Sequence, residues 1–191
     1  MGSDSSTTAP AEFRGFRAAQ LVRAAVLVIV GVAIAFTAPL HRQLDFDLWV
    51  LGGGLTLIGA ATLLEYLALR GTSESWWIAA RAIVAFAAAG SLLAVGDSFT
   101  MALILALWAT LTAVITVMRL ARGVQPVKVA VPSLLLSIAL AILALLFRDD
   151  VVAIIGFFGA YAIIRGVFLG IAAFDPRPAA DAVPSSTQGS E

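Results

Sequence analysis

Six apolar segments follow one another through the middle of this chain, at residues 20–39, 47–69, 77–95, 98–119, 127–147 and 151–173. A helix rises ~1.5 Å per residue, so about 20 residues cross a hydrocarbon layer that is ~30 Å thick. None of the segments alternates apolar and polar residues as the strands of a membrane barrel do. The sequence therefore predicts an all-α integral membrane protein, a six-transmembrane-helix bundle.

The composition supports a membrane environment for the whole region 20–174. Of the 191 residues, 61% are hydrophobic and only 13% are charged, whereas a soluble domain has roughly 25% charged residues. A buried soluble core could account for one such segment but not for six. We therefore expect the lipid bilayer to be the main partner of this region. The flanking residues 1–19 and 175–191 are polar or rich in proline and serine, and we predict disordered cytoplasmic tails there.

Several classes of function are disfavoured by what the sequence lacks. The formal net charge is zero, so no overall basic field favours nucleic acid. The chain has no cysteine, and His41 is its only histidine. Disulfides, iron–sulfur clusters, histidine metal clusters and a Ser–His–Asp triad within one subunit are therefore excluded. We expect no catalytic residues, no metal site and no cofactor, and hence not an enzyme.

The basic residues are distributed asymmetrically between the two ends of the predicted helices. Arg42 and Arg148 are on one side, and the other ten of the twelve basic residues are on the side of the termini. Those ten are Arg14, Arg17, Arg23, Arg70, Arg81, Arg119, Arg122, Lys128, Arg165 and Arg177. Basic loops stay in the cytoplasm, so both termini are predicted to be cytoplasmic. An alternative, in which the first segment is a cleaved signal peptide, is disfavoured because its apolar run continues to Leu40.

Tight turns organise the segments into pairs. Residues 95–98 and 147–150 join the third segment to the fourth and the fifth to the sixth, and residues 39–47 join the first two. Asp97 and Asp150 occupy equivalent turns and give a repeat of about 53 residues. The bundle is therefore predicted to consist of three antiparallel helical hairpins.

The chain resembles the HdeD-like family of bacterial membrane proteins in its three hairpins, its acidic turns and a small residue late in each even helix. The matching stretches are residues 54–59 (GLTLIG), 108–113 (WATLTA) and 161–166 (YAIIRG). Ala113 departs from the pattern, because the other two stretches have glycine there. The resemblance implies a six-helix protein of the bacterial plasma (inner) membrane. The family is named for an association with acid resistance, and many members have no assigned role.

Charged residues inside the predicted helices are the first candidates for a functional site. Glu65, Arg81 and Arg165 lie in the third of the bilayer nearest the cytoplasm, as does Arg23. Charges at that depth tend to face the bundle, a partner or water. A Glu65–Arg165 or Glu65–Arg81 pair would then line a polar vestibule or hold helices together. In the alternative, the arginines extend to lipid phosphates and Glu65 reaches the interface.

Glycines and aspartates form two further candidate groups. Glycines at helical spacing suggest close helix packing or a dimerisation face, and packing is favoured; they are Gly52, Gly59, Gly159, Gly166 and Gly170. The outer acidic turns contain Asp97, Asp149 and Asp150. Their carboxylates could sense external pH by becoming protonated, although capping of the following helices is favoured.

These features leave three functions open. We expect a non-enzymatic multi-pass membrane protein of the HdeD-like type, with a role in acid or envelope stress tolerance. The first alternative is a small transporter or channel with a polar vestibule near Glu65 and Arg165. The second is a membrane interaction subunit whose glycine faces bind another copy or a different membrane protein.

Overall fold

The computed structural model describes residues 9–38, 43–71, 75–123, 125 and 127–174, with side chains in the first helix from residue 17 onward. Every regular element within these residues is a helix. The six helices are α1 (Ala9–Phe36), α2 (Leu44–Ala68), α3 (Ser75–Leu92), α4 (Ser98–Ala121), α5 (Val127–Leu146) and α6 (Val151–Phe174). The predicted all-α bundle of six helices is confirmed.

The helix ends lie within three residues of the predicted ones, except at the start of α1. That helix begins at Ala9, so residues 9–19 are helical and do not belong to a disordered tail. Polar and basic residues can extend a membrane helix beyond the hydrocarbon, where hydropathy no longer marks its end. Residues 1–8 and 175–191, the rest of the predicted tails, lie outside the described residues.

Short-range chemistry accounts for several helix ends. Asp97 and Asp150 each accept a hydrogen bond from the backbone N–H three residues later, at 2.8 and 3.0 Å, and so cap the starts of α4 and α6. Gly71 and Gly123 follow the ends of α2 and α4 with φ of 95° and 69°. Glycine adopts this left-handed conformation without steric cost, and the chain can then leave the helix sharply.

The helices form a closed ring in which each packs against the next in sequence and α6 packs against α1. The most extensive contacts are α1 with α6, α2 with α3, and α4 with α5. The helices joined by the tight turns are therefore neighbours, but the most extensive contacts are between helices of different hairpins. We call the end with residues 37, 38, 43, 93–97 and 147–150 the acidic end. The opposite end, with the start of α1 and the end of α6, is the basic end.

Large apolar side chains cover the outside of the ring. Leu107, Ile142 and Ile171 are each more than half exposed. Water would favour association of such a surface, whereas lipid tails solvate it. All six helices are long and apolar enough to cross a membrane. The chain is therefore a multi-pass membrane protein.

Aromatic side chains fill the interior where α4 meets α6. Trp108 is buried and packs edge-on against Phe158 and Tyr161, with ring centroids 5.9 and 5.7 Å apart. This edge-to-face geometry suits the charge distribution of aromatic rings. Trp108 and Tyr161 also line a cavity that contains three buried arginines.

Candidate functional site

Four charged side chains from four helices come together inside the bundle, towards the basic end. They are Arg23 of α1, Glu65 of α2, Arg81 of α3 and Arg165 of α6, and their residues are only 5–8% exposed. Arg23, Arg81 and Arg165 line one cavity, and Glu65 is hydrogen-bonded to Arg23. We call these four residues the charge cluster. The structure thus brings together the three predicted site residues Glu65, Arg81 and Arg165.

The partner of Glu65 is Arg23, because the Arg23 Nη1 donates to Glu65 Oε2 at 2.7 Å. The predicted partners, Arg81 and Arg165, are both wrong in this respect. Arg23 lies three residues inside the predicted segment 20–39, a position from which its side chain could extend to lipid phosphates. Since α1 begins at Ala9, Arg23 instead lies about four turns inside the helix, and its side chain is buried.

Neither Arg81 nor Arg165 forms a salt bridge with any described residue. The guanidinium carbon of Arg165 lies 5.3 Å from the centroid of the Tyr161 ring, one turn earlier on α6. This cation–π contact fixes the direction of the arginine but supplies no negative charge. Both arginines interact electrostatically with Glu65 at longer range.

Positive charge therefore exceeds negative charge within the cluster. Three guanidinium groups face one carboxylate, which leaves a formal excess of two positive charges. Arg119 of α4 is also within electrostatic range of Glu65 and Arg81. In addition, the Nε of Arg23 is fully buried and has no hydrogen-bond partner among the described residues.

A small cavity lies between the charged groups. Five helices line it, and its walls include Thr62, Thr112, Trp108 and Tyr161 as well as the arginines. The centre of a water-sized sphere can occupy about 10 Å³ of the cavity, which is room for about one water molecule. The Thr62 hydroxyl donates to the Ile58 carbonyl at 2.8 Å, so its hydrogen is directed into the helix backbone.

The predicted glycine faces lie against helices of the same chain. On α6, a β-carbon added to Gly166 would lie 2.8 Å from Val28 Cγ2, and one on Gly159 would lie 2.9 Å from Ile34 Cγ2. Gly170 extends this contact with α1. On α2, Gly52 and Gly59 face α3. The glycine of α1 that faces the α6 glycines was not predicted, because it is the only glycine in the segment 20–39 and so has no spacing pattern.

That glycine is Gly31, which faces Gly159 and Ile163 of α6. A β-carbon there would lie 2.5 Å from the Gly159 carbonyl oxygen. Backbones that approach this closely require small residues on both helices. The contact matters to the charge cluster because α1 carries Arg23 and α6 carries Arg165.

The outer acidic turns contain two carboxylates that cap helices and one that does not. Asp97 accepts from both the backbone N–H and the hydroxyl of Thr100, at 2.8 and 2.7 Å. These two hydrogen bonds lower the pKa of the Asp97 carboxyl group, and the bond from the Thr100 backbone has the larger effect. Asp150 caps α6. The Asp149 side chain is 89% exposed, and its one ion pair among the described residues is with Arg148, at 3.9 Å.

Comparisons with known proteins add no assignment. No family model matches the sequence, and no curated protein or solved structure is similar to it. Among the described residues, no group of three or more potential metal-ligating side chains lies together. The resemblance to the HdeD-like family therefore stays a prediction.

Proposed function

We propose that this chain is a non-enzymatic membrane protein whose function resides in the charge cluster. In keeping with its resemblance to the HdeD-like family, we place it in the bacterial plasma membrane with a role in acid or envelope stress tolerance. The basic end would face the cytoplasm, together with both termini, because loops rich in arginine and lysine are retained there.

The observation that supports a functional role is the burial of three arginines against one glutamate. Removing charged groups from water is costly, and well-packed apolar residues of similar volume often stabilise a fold at least as well as a buried ion pair. A functional role is therefore the first hypothesis for ionisable groups inside a membrane protein. A purely structural bundle would need no more than the apolar core around Trp108.

The experiment is a clean deletion challenged across external pH and membrane stresses, followed by complementation. We expect the native chain and the Arg148→Gln variant to restore survival, since Arg148 is an exposed residue at the acidic end. The Arg165→Gln variant should fail to restore it although it is expressed. A deletion without any acid or envelope phenotype would contradict the stress-tolerance role.

A second candidate function is a small transporter or channel. The observation in its favour is the cavity that Arg81 and Arg165 share with three other helices. Transport requires aqueous access to such a cavity from at least one side of the membrane. Because the chain has no cysteine, a single introduced thiol reports that access without interference.

We expect Arg165→Cys to react with a membrane-impermeant thiol reagent applied at the basic end. Ser137→Cys is the matched control, since Ser137 is fully buried on α5 and lies outside the cavity. Failure of Arg165→Cys to react from either side would exclude a vestibule wide enough for the reagent, which is the transport path proposed here.

The interaction-subunit alternative receives no support from the glycine faces. Gly159, Gly166 and Gly170 lie against α1, and Gly52 and Gly59 lie against α3. These surfaces are therefore already used within one chain. A partner would have to bind the lipid-facing side chains instead.

A further inference from the structure

We propose that the charge cluster binds one small inorganic anion of about the size of chloride, between Arg81 and Arg165. The inference deepens the transport function proposed above by naming the chemical class of the ligand. It also stands without transport, because a bound anion can equally be a fixed structural or regulatory component.

The cluster carries more positive than negative charge. Glu65 is hydrogen-bonded to Arg23 and interacts with the other two arginines only at longer range. Arginine retains its charge in proteins, so the cluster cannot become neutral by losing protons. Buried charges are normally paired, and no described acidic residue other than Glu65 belongs to the cluster. A bound anion would supply the missing negative charge.

The arginines of the cluster also have N–H groups available to a ligand. Arg81 and Arg165 line the cavity with no salt bridge to a described residue, and the buried Nε of Arg23 has no hydrogen-bond partner there. Guanidinium N–H groups form their strongest hydrogen bonds with anions. The Arg165 guanidinium forms a cation–π contact with the Tyr161 ring, so this donor is oriented before an anion binds.

The size of the cavity decides which anion fits. The cavity volume of about 10 Å³ holds about one water molecule. A single water could occupy this space but would not neutralise the arginines. A monatomic anion meets both the size and the charge requirement. Phosphate and the headgroup of a phospholipid are both larger than one water molecule.

Thermal unfolding of the purified full chain tests this site. The protein is placed in nanodiscs of zwitterionic phosphatidylcholine, and sodium gluconate is exchanged for sodium chloride at constant ionic strength. A ligand that binds only the folded state raises Tm by mass action. We expect a saturable rise in Tm with chloride for the native chain and for Arg148→Gln. For Arg81→Gln and Arg165→Gln, the chloride-dependent rise should be lost.

Several results would overturn the proposal. An equal Tm rise in Arg165→Gln would identify a general salt effect. A rise with phosphate but not with chloride would assign the cavity to an oxyanion, and a rise that requires phosphatidylglycerol would assign it to a lipid headgroup. Calorimetric titration of the native chain with chloride does not depend on any variant folding. It should show one site per chain, and the absence of saturable heat would exclude the site.

The outcomes also separate this inference from the proposed functions. Saturable chloride binding without chloride flux in proteoliposomes would exclude chloride transport and retain the site. Loss of stress tolerance in Arg165→Gln together with no anion binding by the native chain would exclude the site and retain the functional role of the cluster.

Discussion

At the scale of single residues, Arg23 and Glu65 depend on one another while Arg165 has no acidic partner. The 2.7 Å hydrogen bond joins two side chains that are 6–7% exposed. Removing one member of such a pair leaves the other charge buried and uncompensated. Removing Arg165, by contrast, reduces an excess of positive charge. The two substitutions should therefore affect stability in different ways.

We predict that Arg23→Gln lowers the free energy of unfolding by about 3 kcal/mol, since Glu65 then loses its paired cation. Arg165→Met, measured without added small anions, should leave the stability unchanged or raise it. Equilibrium unfolding in mixed detergent micelles gives both values, with Arg148→Gln as a surface control. Equal destabilisation by both substitutions would show that Arg165 also has a compensating negative charge in the free protein.

Asp97 gives a residue-scale prediction about pH. Its pKa is lowered from the usual 3.8 by the hydrogen bonds from Thr100. The stabilisation from an ionised cap is therefore complete above the usual pKa and is lost only as pH falls through the lower, folded-state value. Asp97→Ala should lower Tm at neutral pH, and the difference from the native chain should shrink below that value.

Asp149→Ala is the matched control for this cap, because Asp149 is exposed and is not the residue that caps α6. Its Tm should follow that of the native chain at every pH. If Asp97→Ala lowers Tm equally at neutral and strongly acidic pH, ionisation of the cap is not the cause of its stabilising effect.

At the scale of helices, the contact between α1 and α6 sets the position of the charge cluster. Arg23 and Arg165 come from these two helices, and the small residues Gly31, Gly159 and Gly166 allow the backbones to approach. A bulkier residue would separate the helices or force neighbouring side chains out of their preferred rotamers. The geometry of the cluster should therefore respond to changes well away from any charge.

We predict that Gly166→Ala costs about 1–3 kcal/mol of stability through overpacking. Its β-carbon would lie within 3.0 Å of both Val28 Cγ2 and the Ala24 carbonyl oxygen. Gly156→Ala is the matched control on the same helix, where a β-carbon would meet nothing within 4 Å. Unfolding free energies of the two variants give the comparison, and equal values would contradict the close contact between α1 and α6.

The sequence predicts the helices well and their mutual rotation poorly. Hydropathy reports how long a segment can remain in lipid, so five of the six helices have nearly the predicted ends. The contact partner of Glu65 depends instead on which face each helix turns towards the interior. Each helix carries apolar residues on every face, so the sequence does not mark that face. Because α1 begins at Ala9, Arg23 lies well inside the helix, and hydropathy could not indicate that start.

At the scale of the whole molecule, an apolar ring of helices surrounds a site with excess positive charge. The exposed surface is suited to lipid, with residues such as Leu107 and Ile171 facing outward. Low-dielectric surroundings strengthen electrostatic interactions inside the ring. Within the ring, Arg23 neutralises Glu65, and Arg81 and Arg165 remain available to an anion.

Diffraction from crystals of the full chain grown in bromide tests that claim most directly, because bromide is a monatomic anion with a strong anomalous signal. We predict one anomalous peak within the bundle, between the guanidinium groups of Arg81 and Arg165, with the Arg23–Glu65 hydrogen bond intact beside it. An empty cluster, with Arg165 extended towards the lipid headgroups or paired with Glu65, would contradict the account.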